Sequence, residues 1–287
     1  MSNLDASLTL LAASGDLAGI VRLLAQGADP LAYDSSAIRN ASVAGHADCV
    51  RLLIPISRPN IKSESLSFAA DFGHLECVKL LIPSSNSTDK SRALRRAAAG
   101  GHIECVDLLL PLCEDEAIDP ALHLAALHGR AECVERILRV GCSNAALSVA
   151  LQSSAENGHL ACAKLLLPLS DPKDDNSAAL RYAARNGHAD CFMLLVPDSG
   201  PLIEMDDAMI TALNAGHANI LSVMFSHEPR LLGLLDLDAS LAAAVAGRHH
   251  ELELLLLSII ERQSLSAQLS ERSGSAENRA ATKWPRL

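Results

Sequence analysis

Apolar and polar positions fall along this chain in two recurring textures. The first is a wide apolar arc. In IECVDLLL (103–110) only Glu104 and Asp107 are polar, while Cys105, Val106, Leu108, Leu109 and Leu110 cover most of a helix circumference. A helix apolar over so broad an arc has to be covered on several sides. The second texture is narrower. SRALRRAAAG (91–100) sets Ala and Leu in helical register, with Ser91 as a helix start and Gly100-Gly101 as the stop. Glycine stops a helix because it tolerates the left-handed C-terminal position. Together the textures predict a short helix, a glycine turn and a second, more apolar helix.

This unit recurs. GHADCVRLLIP (45–55), GHLECVKLLIP (73–83), GHIECVDLLLP (101–111), GHLACAKLLLP (158–168) and GHADCFMLLVP (187–197) are near copies. Aligned on the turn glycines Gly15, Gly45, Gly73, Gly101, Gly129, Gly158, Gly187, Gly216 and Gly247, the steps run from 28 to 31 residues. A fixed period of this size marks an array of stacked units. Nine units fill residues 5 to about 262. Pro55, Pro83, Pro111, Pro168 and Pro197 are expected to end the second helices, since proline clashes with the preceding turn. One unit cannot bury its second helix alone, whereas stacked neighbours can.

Two stretches, LHLAALHGRAECVERILRVGCSN (122–144) and LAASGDLAGIVRLLAQGADP (11–30), resemble the ankyrin repeat, and the resemblance runs through nearly the whole chain. The chain departs from that family in two ways. Its period is mostly 28–29 residues, against about 33 in the family. The family's Thr-Pro-Leu-His start is replaced by SAIR (36–39) or RALR (92–95). The missing residues fall after the proline, where the family forms a projecting hairpin. The resemblance implies an all-α, ankyrin-type helix-turn-helix solenoid with short or absent β-hairpin fingers. Its expected extent is 5–262, with cap repeats at 5–30 and 239–262, followed by a flexible tail at 263–287.

Composition narrows the chemistry. The 287 residues are 49% hydrophobic but only 2% aromatic, so Leu, Ala, Val, Ile and Cys must fill the interior. A net charge of −10 argues against nucleic acid, which needs a basic face to release counterions. No apolar run reaches the ~18–20 residues of a membrane span. The start, MSNLDASLTLLAASGD, holds Asp5 and no Lys or Arg before Arg22, unlike a secretory or transit signal. The expectation is a cytoplasmic protein whose eight cysteines remain thiols. Delivery into a host cell, by a signal in the Ser-rich tail with its Trp284-Pro285, is the alternative.

The histidines and cysteines invite a metal reading. His46, His74, His102, His159, His188 and His217 follow the turn glycines, and Cys49, Cys77, Cys105, Cys133, Cys162 and Cys191 form a ladder on the second helices. His-x-x-Cys is ligand-like spacing. Packed helices sit ~8–10 Å apart, however, while zinc ligands converge within ~2.0–2.3 Å of the ion. Disulfides fail on the same ground, since Cα atoms beyond ~7 Å are not bridged. Arg130 and Asp16 replace the histidine in two units, and Ile220 replaces the cysteine in one. The cysteines therefore read as small buried hydrophobes. The resemblance implies that the histidines bond the backbone of neighbouring turns. His249-His250-Glu251 reads as the start of the ninth second helix, with Glu251 in the cysteine slot of a polar cap. Cys113 and Cys142 lie off the ladder, with nothing nearby to lower their pKa. No P-loop, GxGxxG, GxSxG or HExxH occurs. The chain is thus read as no enzyme, with no catalytic, cofactor or metal residue; a Cys/His metalloprotein or enzyme is the rival.

The resemblance places a binding surface on the first helices, facing a concave groove. The variable slots are the two residues before each turn glycine and the fifth before it. From these slots come Phe68, Asp71, Phe72, Arg96, Leu127, His128, Glu156, Asn157, Tyr182, Arg185 and Asn186. Of the chain's seven aromatics, Phe68, Phe72 and Tyr182 fall here. Aromatics and arginine are the usual anchors of protein interfaces. The functional expectation is a monomeric, non-catalytic scaffold or adaptor that binds a protein partner and no cofactor, nucleic acid or membrane. A secreted effector whose repeats capture a host protein is the alternative.

Overall fold

The computed structural model describes residues 3–171, 174–196, 202–227, 233 and 235–281. The chain divides into two compact units, Met1–Asp174 and Asp175–Leu287. The first holds six helix pairs: α1 (Asn3–Ser14) and α2 (Leu17–Ala25), α3 (Ala32–Ala44) and α4 (Ala47–Leu53), α5 (Pro59–Asp71) and α6 (Leu75–Leu81), α7 (Ser87–Gly100) and α8 (Ile103–Leu109), α9 (Ile118–Leu127) and α10 (Ala131–Leu138), α11 (Asn144–Glu156) and α12 (Leu160–Leu166). First helices pack on first helices in chain order, and second helices on second helices, which gives two layers. No strand occurs among the described residues, and the all-α expectation without hairpin fingers holds.

The two layers are packed from different residues. Ala69, Ala70, Ala97, Ala98, Ala125 and Ala126 are fully buried in the first-helix layer. Small side chains there let neighbouring helices approach closely. The second-helix layer is filled by a recurring set such as Cys77, Val78 and Leu81, or Cys105, Val106 and Leu109. The cysteine fills a narrow buried slot beside a valine and a leucine, which is why an aliphatic residue can replace it.

The second helices α4, α6, α8 and α12 end in the same way, in a short 3-10 turn that contains a proline. The α-helical part of α4 stops at Leu53, and Pro55 lies inside a 3-10 turn, Ile54–Ile56. Proline removes an N–H from the ladder, and the last turn tightens. A serine two residues after the proline then donates back to the exposed end of the helix. Ser57 Oγ reaches the Leu53 carbonyl at 2.8 Å, Ser85 that of Leu81 at 2.9 Å, and Ser170 that of Leu166 at 2.8 Å. Cys113 occupies the same place after Pro111, so it is a counterpart of these serines. One local feature has no glycine to announce it. Tyr33, Asp34 and Ser35 are left-handed, with φ of 50°, 56° and 54°, ahead of the regular part of α3.

The second unit contains α13 (Asp174–Arg185), α14 (Ala189–Leu195), α15 (Leu202–Ala215), α16 (Ala218–His227), α17 (Leu237–Gly247) and α18 (His250–Ala281). Phe192, fully buried, takes the slot that valine fills elsewhere. The ninth turn departs from its expected register by one residue. Gly247 is the last residue of α17, and Arg248 is the left-handed residue, with φ of 59°. His249, rather than Arg248, is therefore the counterpart of the turn histidines, and its ring lies against Gly216. Leu252, 1% exposed, fills the cysteine slot, while Glu251 is exposed. The last helix continues past residue 262 to Ala281, and Trp284 lies outside the described residues.

Candidate functional site

The turns are joined by a ladder of side-chain staples. The Nε2 of His46 donates to the Ala13 carbonyl at 3.0 Å, His74 to Val43 at 2.9 Å, His102 to Asp71 at 2.8 Å and His159 to Leu127 at 3.0 Å. In the second unit His217 reaches Arg185 at 2.8 Å. A carbonyl can only accept, so each Nε2 carries the proton. Each acceptor lies two residues before the preceding turn glycine. The imidazole then sits over that glycine: a Cβ on Gly129, whose φ is +69°, would come 2.6 Å from His159 Nδ1. Glycine is needed twice over, for its left-handed backbone and for the space above it. Arg130, in the histidine place, makes the same bond through its Nε to Ala99 at 3.0 Å. Asp16 instead caps its own helix, accepting from Gly19 N at 2.8 Å.

These staples fix the carbonyls of the residues that carry the variable side chains. Asp71 and Leu127 hold histidine protons with their backbone, while their half-buried side chains stay at the surface. In the first unit Phe72 is 51% exposed, and its ring stacks on His74 with centroids 6.3 Å apart. Phe68 is half-buried on α5, whose C-terminal cap is Phe72. Arg96, across on α7, approaches Asp71 at 3.8 Å. His128, Glu156 and Asn157 are exposed, and Asn157 ties its amide to the Ser153 carbonyl at 2.9 Å. Ser153, the fifth residue before its turn glycine, is buried and meets His123 Nδ1 at 3.3 Å, so that slot faces inward there. In the second unit Tyr182 is half-buried, and Arg185 and Asn186 are exposed. The slots taken from the sequence missed Arg92, which is exposed on α7 one turn before Arg96. The i, i+4 spacing of two arginines on a surface helix was the available signal.

The profile of the family described as Ankyrin repeats (3 copies) matches residues 8–89, 66–148 and 122–207. The chain is an ankyrin-repeat protein. Among solved structures, the human ASB11 ankyrin repeat domain matches with a TM-score of 0.58 and 23% identity, covering 68% of this chain and 98% of that one. That likeness speaks for the fold. No curated protein matches the chain significantly.

Ankyrin repeats are in general protein-interaction modules and typically non-catalytic. In this member the ladder cysteines are packing groups. Burial, helped by neighbouring glutamates, pushes the thiols of Cys77, Cys105 and Cys133 up to about 11. Cys142 is pushed as high by burial and Asp119, and Cys113 is raised by burial. A raised pKa leaves the neutral thiol, which is a poor nucleophile and metal ligand. Among the described residues no three His, Cys, Asp or Glu side chains converge to hold a metal ion. No described helix is long and apolar enough to cross a membrane. A cleft of about 630 Å³ between α16 and α18 is lined by residues such as Ser222, Phe225, Leu255, Ile259 and Arg262. It brings together no acid, base and nucleophile.

Proposed function

We propose that this ankyrin-repeat chain is a non-catalytic, monomeric scaffold or adaptor that binds a protein partner on the exposed ends of its first helices. Phe72 carries the reading. It is half exposed in a chain with seven aromatics, beside the half-buried Phe68 and the Arg96–Asp71 pair. An aromatic ring fixed by a stapled turn loses little freedom on binding, which favours its use as an anchor. Tyr182, Arg185 and Asn186 offer the same kind of surface in the second unit. The free cysteines suit a reducing compartment such as the cytoplasm.

The test is an affinity capture from native lysate with the wild type, Phe72→Arg and Tyr182→Arg. Circular dichroism checks that each variant is folded. The expected result is a partner held by the wild type and lost by folded Phe72→Arg. A partner held equally by all three proteins would place the binding surface elsewhere.

A further inference from the structure

The arginines of the first unit fall into two groups. Most are satisfied. Arg39 meets Glu64 at 3.0 Å, Arg51 meets Asp48 at 2.7 Å, Arg58 meets Asp34 at 3.3 Å and Arg139 meets Glu135 at 2.8 Å. Arg22 on α2 and the half-buried Arg95 on α7 have no ion pair among the described residues, and the exposed face of α7 belongs with them. Arg92 is exposed and forms no ion pair with any described residue. Arg96, on the same face one turn later, reaches Asp71 only at 3.8 Å, with its side chain 59% exposed. Two like charges at i, i+4 repel each other along a helix. An anion between them removes that repulsion, and two guanidinium forks suit a carboxylate better than lysines do.

Apolar side chains stand on both sides of this pair. Helices α5 and α9 flank α7. The first carries Phe68, with Phe72 as its C-terminal cap, and the second carries the half-buried Leu124 and Leu127. Phe68, Arg96 and Leu124 occupy the same place in successive repeats, so they form one row. Neighbouring helices are about 10 Å apart. An extended chain advances about 3.3 Å per residue, so three residues span one such step.

We infer that this face takes an extended acidic segment of a protein partner. Its carboxylate lies against Arg92 and Arg96, and apolar side chains about three residues to either side rest on the Phe68–Phe72 and Leu124–Leu127 surfaces. The inference rests on the first-helix face being the binding surface. The net charge of −10 repels acidic chains in general. Selection therefore depends on the apolar flanks as much as on the charge.

Panning random dodecapeptides displayed on phage tests this against the wild type, Arg92→Glu/Arg96→Glu and Phe72→Arg. All three sites are exposed, and circular dichroism confirms folding. Wild-type clones are expected to share an Asp or Glu with apolar residues about three positions away. Charge reversal weakens those clones by about tenfold or more and selects basic residues in their place. Phe72→Arg weakens them without changing the preferred charge. Clones without acidic residues, acidic clones that bind the charge-reversed protein equally well, or no enrichment at all would overturn the inference. If non-acidic clones still lose binding on Phe72→Arg, the face is right and the partner chemistry wrong. Clones indifferent to both changes would remove the face as well.

Discussion

The fourth and ninth repeats are written on one template and meet different surroundings. In α7, Leu94 and Ala98 are fully buried. At the matching places in α17, Leu241 is half-buried and Val245 is 52% exposed. Gly101 turns the fourth repeat with φ of 85°, whereas Arg248 has to make the same left-handed turn in the ninth. Both turns pass to a histidine, His102 or His249, that leans on the preceding repeat's glycine or left-handed turn. The difference lies in coverage. Places that neighbours close on both sides in repeat four stand open in repeat nine, so the same helix pair gains less from burial. The helix-turn-helix is thus a local product of the sequence, but its stability is lent by the repeats beside it.

The comparison breaks most directly at a matched leucine. Leu94→Ala removes a fully buried side chain from a closed layer, and the expected cost is about 3 kcal/mol. Leu241→Ala, at the matching but half-open place, is expected to cost about 1 kcal/mol. Urea denaturation followed by circular dichroism, with amide exchange to locate the loss, measures both. Equal costs would mean that coverage does not separate the two repeats.

A smaller effect sharpens the role of the staples. Gly129→Ala forces a Cβ into a left-handed residue and against His159, whose bond to the Leu127 carbonyl is 3.0 Å long. The expected cost is about 2 kcal/mol, part backbone strain and part lost staple. In a His159→Ala background the same substitution is expected to cost about 1 kcal/mol, because the ring is no longer there to be displaced. Urea midpoints for the wild type, both single variants and the double variant complete the cycle. Strict additivity would show that the ring and the glycine do not depend on each other.

Much of this was legible in the residues, and the exceptions have physical causes. The turn glycines and the buried cysteine slot repeat often enough to read directly, while the stapling role of the histidines is what the ankyrin resemblance implies. The Ser of Pro-x-Ser, which the sequence reading passed over, is a helix-end donor, and it makes Cys113 a substitute rather than a loop cysteine. The ninth turn was misread because Gly247 looks like a turn glycine. In Gly100-Gly101 the first glycine is helical and the second makes the turn, and Gly247-Arg248 follows that rule. The left-handed φ of Arg248 and the reach of His249 to Gly216 decide the register. The left-handed run Tyr33–Ser35 contains no glycine, so no propensity announces it. On the candidate face, exposure could be assigned from repeat position for Phe72 but not for Ser153. The fate of a side chain there depends on which neighbour, such as His123, reaches across to it.

The smallest effect carries the opposite sign. Arg248 is held at φ of 59°, a region where a side chain strains against its own carbonyl, while Gly101 makes the equivalent turn without that strain. Arg248→Gly is therefore expected to stabilise the second unit by about 0.5–1 kcal/mol, although glycine also loosens the unfolded chain and takes back part of the gain. Amide exchange in the first turns of α18, around Leu252 and Leu256, reads the change where the turn acts. Slower exchange there would show that the ninth repeat lacks turn chemistry as well as coverage. Unchanged exchange would mean that contacts of the Arg248 side chain offset its backbone strain, leaving open apolar surface as the whole difference between the fourth repeat and the ninth.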